Sequence, residues 1–437
     1  MKLPLAVAVI ILVVGASLIW FDHQRLVAVG QTHAQLVSEA AALGIALDPA
    51  HRGEPVRIAK HERENREQGP ALTAAEFIAF ALEMEASEQK NGGRTTDEMQ
   101  QRVMEFIDRL MALNPVQLKS LIAEVRNDKE LKSETRQNFI GFSIMTLAND
   151  HPQTALELFT ESSDLFKDGK MGGQVVASAL ARWAKIDPMA ALAWVRKNSA
   201  NYAELITEDT KRGMIFAAAV QYPKLAFKLL GELGLRDPDN AVQGIVGAAR
   251  TAEEKSTTLA GLRLYLATLS DARTISETAN KAVFVLARGI AQDGFAAGSQ
   301  WLATANLTPP ELEAFADGLN GAIPNGDTGP WIEWLGISLP PAQAAAKIRI
   351  FVSNWAQSDC QAAGKWLGSV AGGPTKDTSI RAYAETVARY DPQVAAQWAL
   401  TLPAGKDRDE TLISIYQNWP RNDTAGAAAF AKQYGIK

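Results

Sequence analysis

The chain has 437 residues, of which 47% are hydrophobic and 21% are charged, and this composition excludes global disorder. Its net charge is −5, from 44 basic and 49 acidic residues. A nucleic-acid-binding protein is therefore not expected, because such proteins present a basic surface to the phosphate backbone.

The N-terminal segment is long and apolar. Residues 3–21 form a stretch of 19 residues without a charge, and a helix of that length rises about 28 Å, close to the thickness of a bilayer's hydrocarbon core. We predict that residues 1–21 are an uncleaved transmembrane anchor in the inner membrane, with the rest of the chain on the periplasmic side. The alternative is a cleaved signal peptide, with Val14 and Ala16 before the cleavage site, which would give a secreted or periplasmic protein.

A stalk, a linker and a helical cap are predicted next. Residues 22–45 carry an apolar seam with alternating three- and four-residue spacing, which fits either a coiled coil that forms a weak homodimer or a solvated stalk helix. Residues 46–72 mix both charge signs and indicate an extended linker. Thr73 and Glu76 have the spacing of a capping box, so ordered helices are expected to begin there, and residues 73–148 are predicted to form an N-terminal helical cap.

The stretch ARYDPQVAAQWALTLPAG, residues 388–405, shows how the remainder is built. Asp391 is a good helix N-cap, and Pro392 is favoured at the first helical position. Ala395 and Trp398 follow the cap at +4 and +7, so a small and a large residue share one helix face. Proline and glycine end this helix, and a second segment with the apolar spacing of a helix follows. The unit is therefore predicted to be a helical hairpin.

The same unit recurs along residues 149–437. Most successive cap positions lie 32 to 36 residues apart, and a gap of 72 residues indicates one degenerate unit near residue 258. The predicted cap positions are His151, Asp187, Tyr222, Gly294, Asp327, Asp359, Asp391 and Asp423. Small residues occupy +4 except at Trp331, large residues occupy +7, and tryptophan recurs four residues before the cap.

This period predicts an all-α fold, a tetratricopeptide-repeat-like (TPR-like) solenoid of α-α hairpins. The chain resembles the tetratricopeptide class in period and in its helix junction, although the W-x₂-L-G-x₂-Y signature is missing. Its layout, an apolar N-terminal segment followed by a linker and WAxxDPxAAxxW repeats, also resembles a group of uncharacterised membrane-anchored helical-repeat proteins from environmental bacteria. That resemblance implies no activity.

The sequence contains no recognisable catalytic or metal-binding motif. The five histidines show no HExxH spacing, and no GxSxG motif is present. Residues 372–378 resemble a phosphate loop but lack its GxxxxGK[ST] pattern, so a connecting loop is predicted. We therefore expect no catalytic residue, no bound metal and no cofactor. The single cysteine, Cys360, is expected to be a buried small residue in a repeat helix.

Two functional interpretations remain open. The first is a membrane-anchored scaffold that binds a protein or peptide partner at the cell envelope. The alternative is an envelope enzyme or a carbohydrate-binding protein that uses a groove between repeats, with tryptophans as sugar platforms. The regular register of the tryptophans favours a structural role for them. Trp331 occupies a small-residue position, so it is predicted to be exposed and is the single candidate binding residue.

Overall fold

The structure is a computed structural model that describes residues 73–91, 97–166, 170–324 and 326–436. Within these ranges it has 21 α-helices, one short 3₁₀-helix and no strand, which confirms the all-α prediction. The predicted anchor, stalk and linker lie outside the described residues. None of the helices within these ranges combines the length and the apolar composition that a membrane span requires.

The chain divides into two compact units between Met214 and Ile215. The first unit includes a short 3₁₀-helix at Ser163–Phe166, and the division between the two units falls within helix α8 (Glu208–Ala219). The other helices of the first unit are α1 (Ala74–Asn91), α2 (Asp97–Met111), α3 (Pro115–Asn127), α4 (Ser133–Ala148), α5 (Pro152–Glu161), α6 (Lys170–Ile186) and α7 (Pro188–Asn198).

The second unit continues with pairs of helices joined by short turns. Its helices are α9 (Pro223–Leu233), α10 (Asp239–Ala248), α11 (Ala252–Leu266), α12 (Ala272–Gln292), α13 (Phe295–Ala305), α14 (Pro309–Leu319), α15 (Thr328–Ser338), α16 (Pro341–Ser358), α17 (Cys360–Ser369), α18 (Pro374–Val387), α19 (Pro392–Leu400), α20 (Lys406–Gln417) and α21 (Thr424–Tyr434). We call the helix before each cap residue the A helix and the helix after it the B helix. Thus α12, α14, α16, α18 and α20 are A helices, and α13, α15, α17, α19 and α21 are B helices.

The first described helix begins at the predicted capping box. The amide of Thr73 donates to Glu76 Oε2 at 2.9 Å, and the amide of Glu76 donates to Thr73 Oγ1 at 3.3 Å. Arg109 of α2 donates to the same carboxylate at 3.0 Å. The rings of Phe77 and Phe139 stack with centroids 3.6 Å apart, so α1 packs on α4. The capping box is confirmed, and it also fixes α2 against α1.

Aspartate caps begin the B helices as predicted. The carboxylate of Asp187 accepts from the amide of Ala190, that of Asp359 from Ala362, and that of Asp391 from Val394, at 2.9 to 3.0 Å. Asp423 caps α21 in the same way. His151 and Tyr222 also directly precede proline-initiated helices, but neither contributes a side-chain cap.

Asp327 departs from this pattern. It precedes α15, yet its carboxylate does not cap that helix. Instead, Asp327 Oδ2 accepts from the amide of Phe295 at 2.8 Å, at the start of α13 in the preceding pair. The cap position of α13 is Gly294, which has no side chain of its own to offer. One residue therefore supplies the cap that the neighbouring repeat lacks.

The degenerate repeat begins at Thr251, not near residue 258 as its spacing predicted. Thr251 and Glu254 form a capping box, with Glu254 N donating to Thr251 Oγ1 at 3.2 Å. Lys255 and Thr258 then occupy the +4 and +7 positions of α11. Neither residue matches the usual pattern of a small residue at +4 and a large apolar residue at +7, so the sequence pattern does not mark this helix start.

Among the A helices of the second unit, α10 packs on α12, α12 on α14, α16 on α18 and α18 on α20, and among the B helices α9 packs on α11. Ion pairs cross between the A helices: Lys281 of α12 with Asp239 of α10, Lys347 of α16 with Asp317 of α14, Arg349 of α16 with Glu385 of α18, and Arg381 of α18 with Asp407 of α20. Each A helix in this series is thus tied to a neighbour by side-chain charge as well as by apolar packing.

The Glu76 cap is expected to resist acid. Hydrogen bonds from the backbone and side chain of Thr73, and then from Arg109, lower the pKa of Glu76 from 4.5 to about 2. Because the folded-state pKa lies below the unfolded one, the stabilisation is complete above about pH 4.5 and disappears as the pH falls through about 2. An NMR titration of the Glu76 carboxyl should give this low pKa, and Arg109→Ala should raise it. A midpoint near 4.5 in the wild-type protein would contradict the assignment.

Candidate interaction surface

The +4 position is a deeply buried row of the B helices, except in α21, where Ala427 is only partly buried. Its residues include six alanines and one glycine, and almost all are inaccessible to solvent. The row consists of Ala155, Ala191, Ala226, Lys255, Gly298, Trp331, Ala363, Ala395 and Ala427. The +8 residues lie one turn further along the same stripe and are buried in most repeats, for example Phe159, Leu230, Leu335 and Leu367. Small residues at +4 let the neighbouring helices approach closely.

The +7 tryptophans lie at the margin of this core. Trp301 is buried, whereas Trp194, Trp334, Trp366 and Trp398 are only partly buried. Position +7 falls beside the stripe through +4 and +8, which explains why four of these five rings are only partly buried. The sequence pattern therefore identified the packed face of the helix through +4, while most of its +7 tryptophans lie at the edge of that face.

Trp331 is fully buried, so the prediction that it is an exposed contact is wrong. Its ring packs edge-on against Phe295, with centroids 5.1 Å apart, and against Trp334 at 5.7 Å. Space for it comes from Gly298, where an added Cβ would lie 2.9 Å from the indole. Gly298 is the one glycine in the +4 row, and it was the sequence signal that a large side chain from the neighbouring repeat fills that space.

The partly buried tryptophans are also engaged by the protein itself. Trp366 contacts Trp355 of the same hairpin at 5.5 Å, and its Nε1 donates to Glu333 Oε1 at 3.0 Å. The ring of Trp398 meets Tyr383 edge-on at 6.0 Å. Contacts of this kind between the A and B helices supply a packing reason for the recurrence of tryptophan at −4 and +7. They support a structural role for these rings.

Cys360 is exposed, which contradicts the expectation that it is buried. It is the first residue of α17, directly after the cap residue Asp359, and that position lies outside the +4 and +8 stripe. Its carbonyl oxygen accepts from the hydroxyl of Tyr383 at 3.1 Å. Burial of that tyrosine raises its pKa above the usual value.

Of the arginine–carboxylate ion pairs described in the second unit, that of Arg263 and Glu311 is the most shielded from solvent. Arg263 of α11 donates to both oxygens of Glu311 at 3.0 and 2.7 Å, and also to the carbonyl oxygen of Asn306 at 2.9 Å. Burial alone would raise the pKa of Glu311, but hydrogen bonds from Arg263 and Thr308 overcome that effect and lower it. The pair clamps α11 to the turn before α14, so it has a structural explanation.

The side chains in the described ranges that could bind a metal do not lie together. Among the described residues, no three His, Cys, Asp or Glu side chains are arranged to hold a metal ion. His151 is exposed in the turn before α5, and the other four histidines lie outside the described ranges. In the stretch 372–378, only Gly372 and Gly373 belong to a connecting loop, because α18 begins at Pro374.

Charge is distributed unequally between the two sets of helices. The B helices from α13 to α21 contain three charged residues, Glu333, Lys365 and Lys432, whereas each A helix from α12 to α20 contains at least two. We call the exposed side chains of α13, α15, α17 and α19 the B surface; it includes Gln300, Ile337, Gln361, Gln393, Gln397 and Leu400. This surface is mostly uncharged and rich in amides, and it is the candidate interaction surface.

Replacing Trp331 should test its burial. Trp331→Ala is expected to lower the free energy of unfolding by about 3–5 kcal/mol, because a fully buried aromatic is removed and a cavity remains. Trp398→Ala should cost less, since that ring is only partly buried. Urea unfolding of both variants would measure the difference. A larger loss for Trp398→Ala would contradict the assignment of Trp331 to the core.

Comparisons with known proteins found no relative of this chain. No protein-family model matches the chain, no curated protein matches it, and no solved structure matches it.

Proposed function

We propose that this protein is a membrane-anchored helical-repeat scaffold that binds a protein or peptide partner through the B surface at the cell envelope. The observation that carries this proposal is the separation of charge between the A and B helices from α12 to α21. Protein interfaces are depleted of charged residues at their centre, and the B surface has few charged residues.

The A helices are less suited to this role. Their charged side chains are largely committed to one another, as in the pairs of Arg349 with Glu385 and of Arg381 with Asp407. A partner that docks on them would have to compete with these pairs or remove them from water. The B surface requires no such exchange, since glutamine amides can both donate to and accept from the main chain of an extended segment.

The proposal includes a TPR-like solenoid for residues 149–437 and an inner-membrane location with the repeats in the periplasm. The contacts between successive helices support the first part. The uncharged stretch 3–21 supports the second, as does the resemblance to membrane-anchored helical-repeat proteins of bacteria. A linker of residues 46–72 would hold the B surface away from the bilayer. Weak dimerisation through residues 22–45 would bring two such surfaces together.

The proposal can be tested with a photo-crosslinking amino acid placed in the full-length chain in intact cells. Gln397 on the B surface and Gln417 on helix α20 are matched positions, because both are exposed glutamines of the second unit. Crosslinking from position 397 should yield a defined protein adduct, and crosslinking from position 417 should yield much less. Mass spectrometry of the adduct would identify the partner.

Charge introduced on the B surface should weaken the interaction. Gln361→Lys combined with Gln393→Lys should reduce the yield of the adduct from position 397 several-fold, whereas Gln417→Lys should leave it unchanged. Equal adducts from positions 397 and 417 would show that the B surface is not the binding surface. Turnover of a small substrate by the purified chain without a partner would favour the enzyme alternative.

A further inference from the structure

One B helix carries a charge in the row where its counterparts carry alanine or glycine. Lys255 occupies the +4 position of α11, and its side chain is only 4% exposed. At seven of the nine positions in this row the residue is alanine or glycine, and Trp331 is the other exception. The Trp331 exception is explained by Gly298, but an apolar neighbour cannot accommodate a lysine in the same way.

The charge of Lys255 is satisfied at the carboxyl end of the next A helix. Its Nζ forms an ion pair with Asp293, the residue that follows α12, and donates to the carbonyl oxygen of Gly289 at 3.3 Å. A cation is favoured at this end of a helix, where the last carbonyls lack intrahelical partners. The Asp293 side chain is 40% exposed, so Lys255 is the buried charge of this pair.

The partner carboxylate is almost unique in the repeat register. Asp293 lies one residue before the cap position, and the only other aspartate or glutamate at that position is Asp150. The remaining repeats have Ile186, Gln221, Arg250, Gly326, Ser358, Tyr390 and Asn422 there. If α11 were stacked against a different repeat, Lys255 would therefore usually be buried without a carboxylate.

We propose that the Lys255–Asp293 pair is a register key, a contact that makes one stacking arrangement of the repeats much more favourable than its alternatives. Similar repeats risk mispairing and domain swapping, because an alanine at +4 fits many neighbours equally well. A buried charge with one suitable partner discriminates between them, since an unpaired buried charge is strongly unfavourable. The pair acts chiefly against wrong structures and adds little to the stability of the correct one.

This role predicts an asymmetry between the two partners. Lys255→Met removes the buried charge and leaves Asp293 with access to water, so the urea midpoint should stay close to that of the wild type. Asp293→Ala leaves the buried lysine without its carboxylate and should lower the midpoint clearly. A contact that mainly stabilises the native fold would instead show clear losses for both variants.

The decisive experiment is refolding of the full-length chain from urea at high protein concentration. The wild type should return to the oligomeric state that it had before unfolding, and hydrogen exchange with mass spectrometry should give a single exchange pattern in residues 252–292. Lys255→Met and Lys255→Ala should give an additional dimer fraction on size exclusion and two exchange populations in this segment. Lys255→Ala installs the residue that is usual at +4, so it tests discrimination without introducing a foreign side chain.

Lys347→Met provides the matched control. Lys347 pairs with Asp317 between two A helices, and its loss should not create a second population because it does not occupy the +4 row. Refolding of both Lys255 variants to the wild-type oligomeric state with one exchange population would overturn the proposal. Failure of both variants to fold would also overturn it, because Lys255 would then be needed for stability and not for register.

Discussion

The close approach of each B helix to its neighbours at the +4 row is the constraint on which the architecture depends. Alanine or glycine at this row removes the side chain that would otherwise hold two helices apart. When a larger residue occurs there, a specific partner compensates. Gly298 makes room for the indole of Trp331, and Asp293 neutralises Lys255. The exceptions to the repeat pattern are thus paired changes, each distributed over two successive repeats.

The two sets of helices are joined by different forces. Ion pairs cross between successive A helices, as between Arg349 and Glu385, whereas B helices make contacts of glycine with aromatic rings, as between Gly298 and Trp331. An ion pair at a surface contributes little to stability, but it occupies the charges that form it. Many charged side chains of the A helices are therefore paired, and the B helices from α13 to α19 have a mostly uncharged outer surface. This arrangement is the physical basis for assigning partner binding to the B surface.

Cooperation between repeats also extends to the helix ends. Asp327 caps α13 from the neighbouring pair because Gly294 cannot, and Arg263 binds the carbonyl of Asn306 as well as the carboxylate of Glu311. Each contact satisfies a backbone group that helix geometry leaves unpaired. The polar groups at these helix ends are thus satisfied by residues of the adjacent helix pair.

The sequence by itself determined the helical class, the helix starts at Asp187, Asp359, Asp391 and Asp423, and the face on which each B helix packs. These features follow from local rules of capping and periodicity, which act within a few residues. The tertiary structure alone decided that Trp331 is buried, that Cys360 is exposed, and that the irregular repeat begins at Thr251. The candidate surface also emerged only there, because burial and pairing depend on which residue a neighbouring repeat supplies, and that residue lies some 30 to 40 positions away in the chain.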